Sequence, residues 1–205
     1  MSKKDYCSNL DLTLIHYFRA LITDNVDLLV NEQYYLQLCA ASDRIEEIAI
    51  GLNNKTLTYE NNQSAYCYCE YISQAYVMMN CLKTLSTIIN STQCDNKKEY
   101  MSKIETTNII GNLGINNDGN DWEFVCYLRA LSSEHPTETS KHKKYSTVAE
   151  YSPFVTWSSS QEGLLSVTKY DANGNISLMD VDINKLIKYT NHVYSQLSWM
   201  DKSLI

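Results

Sequence analysis

Proline is the residue that most constrains this chain, because its two prolines, Pro136 and Pro153, both lie in the last third. Proline interrupts helices by removing a backbone donor and clashing with the preceding turn. The first 135 residues contain no proline, and their apolar residues recur at helical spacing. This pattern predicts helices over about 8–22 and 26–52, a third of about 25 residues from Ser64, a weaker fourth over 95–110, and a fifth that runs from Asp121, its expected capping residue, to beyond Leu131.

The character of the sequence changes after His135. Short apolar runs predict strands over 154–157, 164–170 and 176–181, with a turn at 171–175. Asp182 is expected to cap a last helix that continues to Leu197. The predicted fold class is therefore mainly α: an antiparallel bundle of about five helices with an appended C-terminal β-hairpin or meander and a final helix. The expected division is 1–135 for the bundle and 136–205 for the remainder, packed together as one compact domain.

Composition limits the partners and the location. The formal net charge is −7 and the pI about 5.1, which argues against binding RNA or a membrane by net charge alone but allows a local basic patch. No apolar run is long enough for a signal peptide or a membrane span. Seven scattered cysteines indicate reduced intracellular thiols. We expect a cytoplasmic protein with no membrane partner and, because no glycine-rich nucleotide motif is present, no cofactor.

One polar segment, Arg129 to His142, concentrates positive charge in this acidic chain. Pro136 disfavours a helical conformation at His135, so the preceding helix should end near Glu134, and His135 can then fold back beside Arg129. An arginine that holds a phosphate next to a proton-transferring histidine is a minimal set for RNA cleavage without metal. These two residues are the candidate catalytic pair, and the candidate substrate-binding residues are Lys141, His142, Lys143 and Lys144.

The spacing Arg129-x5-His135 at the end of a helix resembles the Arg-x4–6-His motif of the HEPN superfamily. The resemblance covers this motif and the general helical architecture. It implies a metal-independent ribonuclease of a bacterial or phage defence or toxin system. It also implies an RNA substrate and a homodimer in which two motifs form one composite site. The sequence departs from the family at Ala130, where a polar residue usually follows the arginine, and in its C-terminal strands.

Three alternatives remain open from the sequence. Arg129 at a helix C-terminus is favourable through the helix dipole alone, and His135 would then be a solvated loop residue. A metal site is a second alternative, although no established ligand spacing is present. The third is a non-catalytic protein-interaction module, such as an inhibitor, antitoxin or defence-complex component, that binds a protein partner through acidic charge and exposed tyrosines. The ligands of the metal alternative would be Glu134, His135, Glu138 and His142.

Overall fold

The computed structural model describes residues 6–24, 32–55, 57, 64–93, 107–132, 139–158 and 163–201. Over these residues the chain is mostly helical and carries a small antiparallel sheet. This part of the predicted fold class is confirmed. The helices precede the strands, and a final pair of helices follows them.

Three helices form where apolar residues recur every three or four positions. They are α1 (Leu12–Asp24), α2 (Glu32–Asn54) and α3 (Ser64–Gln93). The 30 residues of α3 exceed the expected 25 and correspond to about 45 Å of helix. Helix α2 packs against both α1 and α3, and α1 buries one stripe of its surface, formed by Ile15, Phe18 and Ile22.

Helix α1 begins four residues later than the predicted start near residue 8. The backbone N–H of Leu10 donates to Asn53 Oδ1 at 2.7 Å, and Asn53 Nδ2 donates back to the Leu10 carbonyl at 2.8 Å. Asp11 then accepts the N–H of Thr13 at 3.0 Å. The end of α2 therefore holds the approach to α1 extended, and Asp11 begins the helix as a capping residue.

Helix α4 (Asp121–Ser132) starts where predicted, but a different residue caps it. Asn120 Oδ1 accepts the N–H of Glu123 at 2.9 Å, which is the N-cap role expected of Asp121. Asp121 is instead completely buried, and its two carboxylate oxygens accept the N–H groups of Ile109 and Ile110. The capping prediction for Asp121 is wrong because its side chain binds the preceding loop.

The predicted fourth helix over 95–110 lies largely outside the described residues. Its last four positions, 107–110, are described and are not helical. Two of their N–H groups, those of Ile109 and Ile110, are taken by Asp121. The backbone donors of a helix end would instead bond to carbonyls one turn earlier, so this end of the prediction is wrong.

The sheet has the strand order β1–β2–β3 and is antiparallel throughout. Its strands are β1 (Glu150–Trp157), β2 (Leu164–Asp171) and β3 (Ile176–Asp182). In the tight turn between β2 and β3, Asp171 accepts the N–H groups of Asn173 and Asn175, both at 2.8 Å. The β1–β2 register shifts between 151 and 154. One sheet face is buried through Val155, Leu165, Val167 and Val181.

Two helices follow the sheet, α5 (Ile183–Ser195) and the short α6 (Leu197–Asp201). Asp182 caps α5 as expected, with Oδ1 accepting the N–H groups of Asn184 and Lys185 at 2.9 and 3.2 Å. The expected single helix through Leu197 is wrong. The N–H of Gln196 bonds to the Val193 carbonyl three residues back, which tightens the last turn and ends α5.

A single hydrophobic core joins the helices to the sheet. Both α3 and α4 pack against β1, and a polar network reinforces the second contact. Lys169 of β2 donates to Glu150 Oε1 at 3.1 Å, and the hydroxyl of Tyr127 donates to Glu150 Oε2 at 2.6 Å. The predicted division at residue 135 stays a prediction, because 133–138 lie outside the described residues.

Candidate functional site

The candidate substrate-binding residues surround one cavity of about 420 Å³ beside α4, here termed the basic pocket. Helix α4 contributes one wall and the segment that follows the 3₁₀ helix Thr139–Lys141 contributes the other. All four residues singled out from the sequence line this cavity. The described residues of the lining are Trp122, Glu123, Cys126, Lys141, His142, Lys143, Lys144 and Tyr145.

An aromatic cluster fixes the 3₁₀ segment against α4. Tyr145 stacks on Tyr127 with ring centroids 5.5 Å apart and lies 5.4 Å from the ring of Phe124. The hydroxyl of Tyr145 donates to the Asn120 carbonyl at 2.8 Å. His142 packs edge-on against Tyr127 at 6.1 Å. These contacts hold the segment that carries the lysines at the rim of the pocket.

Lys144 supports the pocket more than it offers charge to a ligand. Its ammonium contacts the Glu123 carboxylate at 2.9 Å and donates to the Asp118 carbonyl at 3.1 Å. The hydrogen bond to Glu123 raises the pKa of Lys144. Glu123 already offsets the charge of this ammonium, and the role of Lys144 as a substrate ligand stays a prediction.

The charge available to an anion comes from other residues. Lys141 and Lys143 are exposed at the pocket, and neither forms an ion pair with another described residue. Lys83 of α3 is also exposed, and its ammonium lies 5.4 Å from the ring centroid of Trp122. Arg129, in the last turn of α4, is exposed as well. Lys83, Arg129, Lys141 and Lys143, none of which forms an ion pair with another described residue, are termed the four free cations below.

Arg129 lies on the face of α4 that carries Cys126 and Trp122, because residues three and seven apart align on a helix. Its guanidinium carbon lies 4.4 Å above the ring centroid of Tyr76, which orients the group by a cation–π contact. His135 lies outside the described residues. The return of His135 to Arg129 therefore stays a prediction, and so does the catalytic pair.

The thiol of Cys126 is not activated as a nucleophile. Burial raises its pKa to about 11, although the positive charges of Lys83 and Arg129 oppose the rise. A thiol becomes a nucleophile through its thiolate, so Cys126 is a neutral wall of the pocket near pH 7. None of the six described cysteines is paired in a disulfide within the described part of the chain.

His142 is the titratable side chain of the pocket whose charge changes nearest to neutral pH. Partial burial lowers its pKa below the usual histidine value, and the nearby Glu123 carboxylate opposes this shift. The imidazole is therefore mainly neutral at pH 7 and able to accept a proton.

Acidification is expected to destabilise the protein through His142. A histidine whose folded-state pKa is lowered contributes stability that is present above its unfolded pKa of about 6.5 and is lost as the pH falls through the lowered value. The thermal unfolding midpoint should therefore drop further between about pH 7.5 and pH 5.5 in the wild type than in His142→Gln. Parallel curves for the two proteins would contradict this role.

A glycine allows the loop before α4 to lie against the pocket segment. Gly114 has a φ of +75°, and a Cβ there would collide with the Lys144 carbonyl oxygen. The next residue, Ile115, donates its N–H to that same carbonyl at 2.6 Å. The loop before α4 thus contacts the backbone of the pocket segment directly at Lys144.

Gly114→Ala is expected to lower the free energy of unfolding by about 1–3 kcal/mol, because it combines a positive φ with a backbone collision. Chemical denaturation measures this loss. The matched control is Gly174→Ala, which shares the positive φ of +82° but has no atom near its Cβ position. Equal losses in both variants would show that the close approach to Lys144 is unimportant.

Sequence reasoning identified the local run of lysines but missed Lys83 and Trp122. Lys83 is on α3, distant in sequence, and only the packing of α3 against α4 brings it to Trp122. His16 is exposed and Arg19 is half-exposed, and both contact Glu46 of α2. Neither therefore contributes free charge to the site.

Among the described residues, no group of three histidine, cysteine or acidic side chains is arranged to hold a metal ion. Of the four ligands in the metal alternative, only His142 is described. The described helices include none with the length and apolar character needed to cross a bilayer.

The sequence matches no protein-family model, and no curated protein or solved structure shows significant similarity to the chain.

Proposed function

We propose that this protein binds RNA at the basic pocket and cleaves it without a metal ion, as a HEPN-like ribonuclease of a defence or toxin system. The observation that carries the proposal is a concentration of basic residues at one cavity: Lys141, His142 and Lys143 line it, Lys83 lies beside its Trp122, and Arg129 follows its Cys126 on the same face of α4. The chain as a whole has a net charge of −7, so positive charge is locally concentrated against the average. Phosphate binding depends on such local charge, because screening limits the field to about 8–10 Å.

The proposed reaction uses the RNA's own 2′-hydroxyl as the nucleophile. His135 removes the 2′-hydroxyl proton, the 2′-oxygen bonds to phosphorus, and the bond from phosphorus to the 5′-oxygen breaks. The leaving 5′-oxygen takes up a proton from water, and the protonated His135 releases its proton to water, so the products end in a 2′,3′-cyclic phosphate and a 5′-hydroxyl. Arg129 stabilises the charge that develops on the phosphate oxygens. Lys141 and Lys143 hold the neighbouring phosphates.

The arrangement of the helices and the oligomeric state form part of the same proposal. Consecutive helices α1, α2 and α3 pack on one another across short connections, which is the pattern of an antiparallel bundle. The motif lies at the end of α4, where its arginine is exposed. A two-fold homodimer would bring two Arg129–His135 pairs into one composite site.

The proposal is tested with the purified full-length chain and a labelled RNA strand in the presence of EDTA. We expect fragments that carry 2′,3′-cyclic phosphate and 5′-hydroxyl ends. A DNA strand of the same sequence is the matched control, because it lacks the 2′-hydroxyl and should stay intact. Intact RNA under these conditions, together with equal growth of cells that express wild type or His135→Ala, would overturn the proposal.

The second candidate function is a protein-interaction module, and the outer face of the sheet favours it. Ile176 and Leu178 of the edge strand β3 are 64% and 70% exposed. They pair directly with Tyr170 and Thr168, and Tyr151 stacks on Tyr170 at 5.6 Å. Exposed apolar patches of this kind commonly bind partners, and an edge strand can accept an added strand.

Under this alternative, Leu178→Asp would abolish binding of the protein partner and leave the fold intact. Leu36→Asp on α2 is the matched control, since Leu36 is also an exposed leucine, at 59%. One set of measurements distinguishes the ribonuclease from the interaction module. Ribonuclease activity that survives Leu178→Asp favours the enzyme, whereas a partner lost only in Leu178→Asp, with no RNA cleavage, favours the interaction module.

A further inference from the structure

A second cavity lies close to the basic pocket, and Lys83 lies beside both cavities. This second pocket also has a volume of about 420 Å³ and lies between α2 and α3. Helix α2 contributes Tyr34 and Gln37, and α3 contributes the remaining residues. The described residues of this lining are Tyr34, Gln37, Asn80, Lys83, Thr84, Thr87 and Ile88.

Lys83 connects the two cavities. It lines the second pocket, and its ammonium lies 5.4 Å from the ring centroid of Trp122 in the basic pocket. Each cavity thus contains one partly exposed aromatic side chain, Trp122 in the first and Tyr34 in the second. One exposed cation, Lys83, lies beside both cavities.

This alternation matches the repeat of a single nucleic-acid strand, in which flat bases alternate with charged phosphates. Proteins hold such strands by stacking successive bases on aromatic side chains and by placing cations along the backbone. The rest of the second pocket is suited to the edges of a base. Gln37 and Asn80 carry side-chain amides, and Thr84 and Thr87 carry hydroxyls, whereas Lys83 is the one charged residue in its described lining.

We propose that the two pockets bind one single strand of RNA, with one base stacked on Trp122, a phosphate on Lys83 and another base against Tyr34. The inference rests on the proposed function for the identity of the nucleic acid. It adds that the substrate is single-stranded, since bases reach side-chain platforms only when they are unpaired and splayed from their neighbours. It also assigns binding roles to Trp122, Lys83 and Tyr34.

The experiment measures the affinity of the full-length wild type for a labelled oligouridylate and for an RNA duplex. We expect tighter binding of the single strand. Trp122→Ala and Tyr34→Ala should each weaken that binding roughly 5- to 150-fold, the range that loss of one stacked base produces. Lys83→Ala should weaken it and reduce the dependence of affinity on salt. Trp122→Phe, which keeps an aromatic face, should retain most of the affinity.

Matched controls distinguish the pockets from the general surface. Tyr17→Ala removes an exposed tyrosine of α1, and Lys188→Ala removes an exposed lysine of α5; neither should alter binding. Thermal unfolding of every variant identifies any loss that arises from misfolding. Single-strand affinity that is unchanged in folded Trp122→Ala and Tyr34→Ala, or equal affinity for duplex, would overturn the inference and leave the proposed cleavage intact. Absence of all RNA binding would overturn both.

Discussion

Replacement of Asp121 by alanine is expected to lower the free energy of unfolding by about 3–5 kcal/mol. The carboxylate is completely buried and accepts two backbone N–H groups, those of Ile109 and Ile110. Hydrogen bonds to a charged group contribute about 1.5–3 kcal/mol each, and buried donors left without an acceptor add to the loss. Because folded domains are stable by only about 5–15 kcal/mol, this substitution should remove a large share of the total.

Chemical denaturation measures the effect, and two further variants define its cause. Asp121→Asn keeps one acceptor oxygen and the shape of the side chain, so its loss should be smaller than that of Asp121→Ala. Asp118→Ala is the matched control, because Asp118 is exposed in the same loop and contacts Lys144 through its backbone carbonyl. A similar loss in Asp118→Ala and Asp121→Ala would contradict the proposed role of the buried carboxylate.

Asp121 also shows where sequence patterns stop being informative. Asparagine and aspartate are both strong N-cap residues, and here they are adjacent as Asn120 and Asp121. Local sequence does not decide between them. The loop that contains Ile109 and Ile110 decides, because its two N–H groups need an acceptor and Asp121 faces them. The apolar spacing located α4 correctly, whereas the partner of each polar side chain depends on contacts that are distant along the chain.

The same distinction applies to the strands and to the last helix. The turn at 171–175 and the cap at Asp182 follow from short-range chemistry, and both agree with the predictions. The interruption at Gln196 did not follow from the pattern, because apolar residues continue at helical spacing through Leu197. Gln196 and Leu197 are both buried, so tertiary packing accompanies the end of α5 and the beginning of α6.

For the candidate site, the sequence identified the residues that are neighbours in the chain and missed those that are neighbours only in space. Lys141, His142 and Lys143 form one local run, and the structure places all three at one cavity. Trp122 and Lys83 reach the same region from different helices. Isolated tryptophans and lysines have no local signature, since a helix commonly carries either on its exposed surface.

Arg129→Ala is expected to reduce the kcat/KM for RNA cleavage about 10²- to 10³-fold, and His135→Ala about 10²- to 10⁴-fold. Loss of a group that stabilises charge in the transition state, or of a general acid or base, has effects of this size. Cleavage is measured under single-turnover conditions, which separate the chemical step from product release. The matched controls are Arg44→Ala and His16→Ala, because both side chains are exposed; Arg44 forms an ion pair with Glu47, and His16 hydrogen-bonds to Glu46.

The arginine needs a second variant, because it also contacts Tyr76. An exposed cation–π contact contributes about 0.5–1 kcal/mol, so a modest loss of stability in Arg129→Ala is expected in addition to the loss of cleavage. Arg129→Lys keeps the charge but lacks the paired donors that match a phosphate. If charge alone mattered, Arg129→Lys would cleave like the wild type; we expect instead that it remains markedly impaired.

Comparison of His135→Ala with His142→Ala decides which imidazole moves the proton. His142 is in the basic pocket, and burial lowers its pKa so that it is mainly neutral at pH 7, which also suits a general base. If His135 is the base, His135→Ala should lose cleavage while retaining RNA affinity, and His142→Ala should mainly weaken binding. The opposite result would transfer the base to His142 and contradict the Arg129–His135 pair. In that case the four free cations would still bind the RNA, but the resemblance to the Arg-x4–6-His motif would be coincidental.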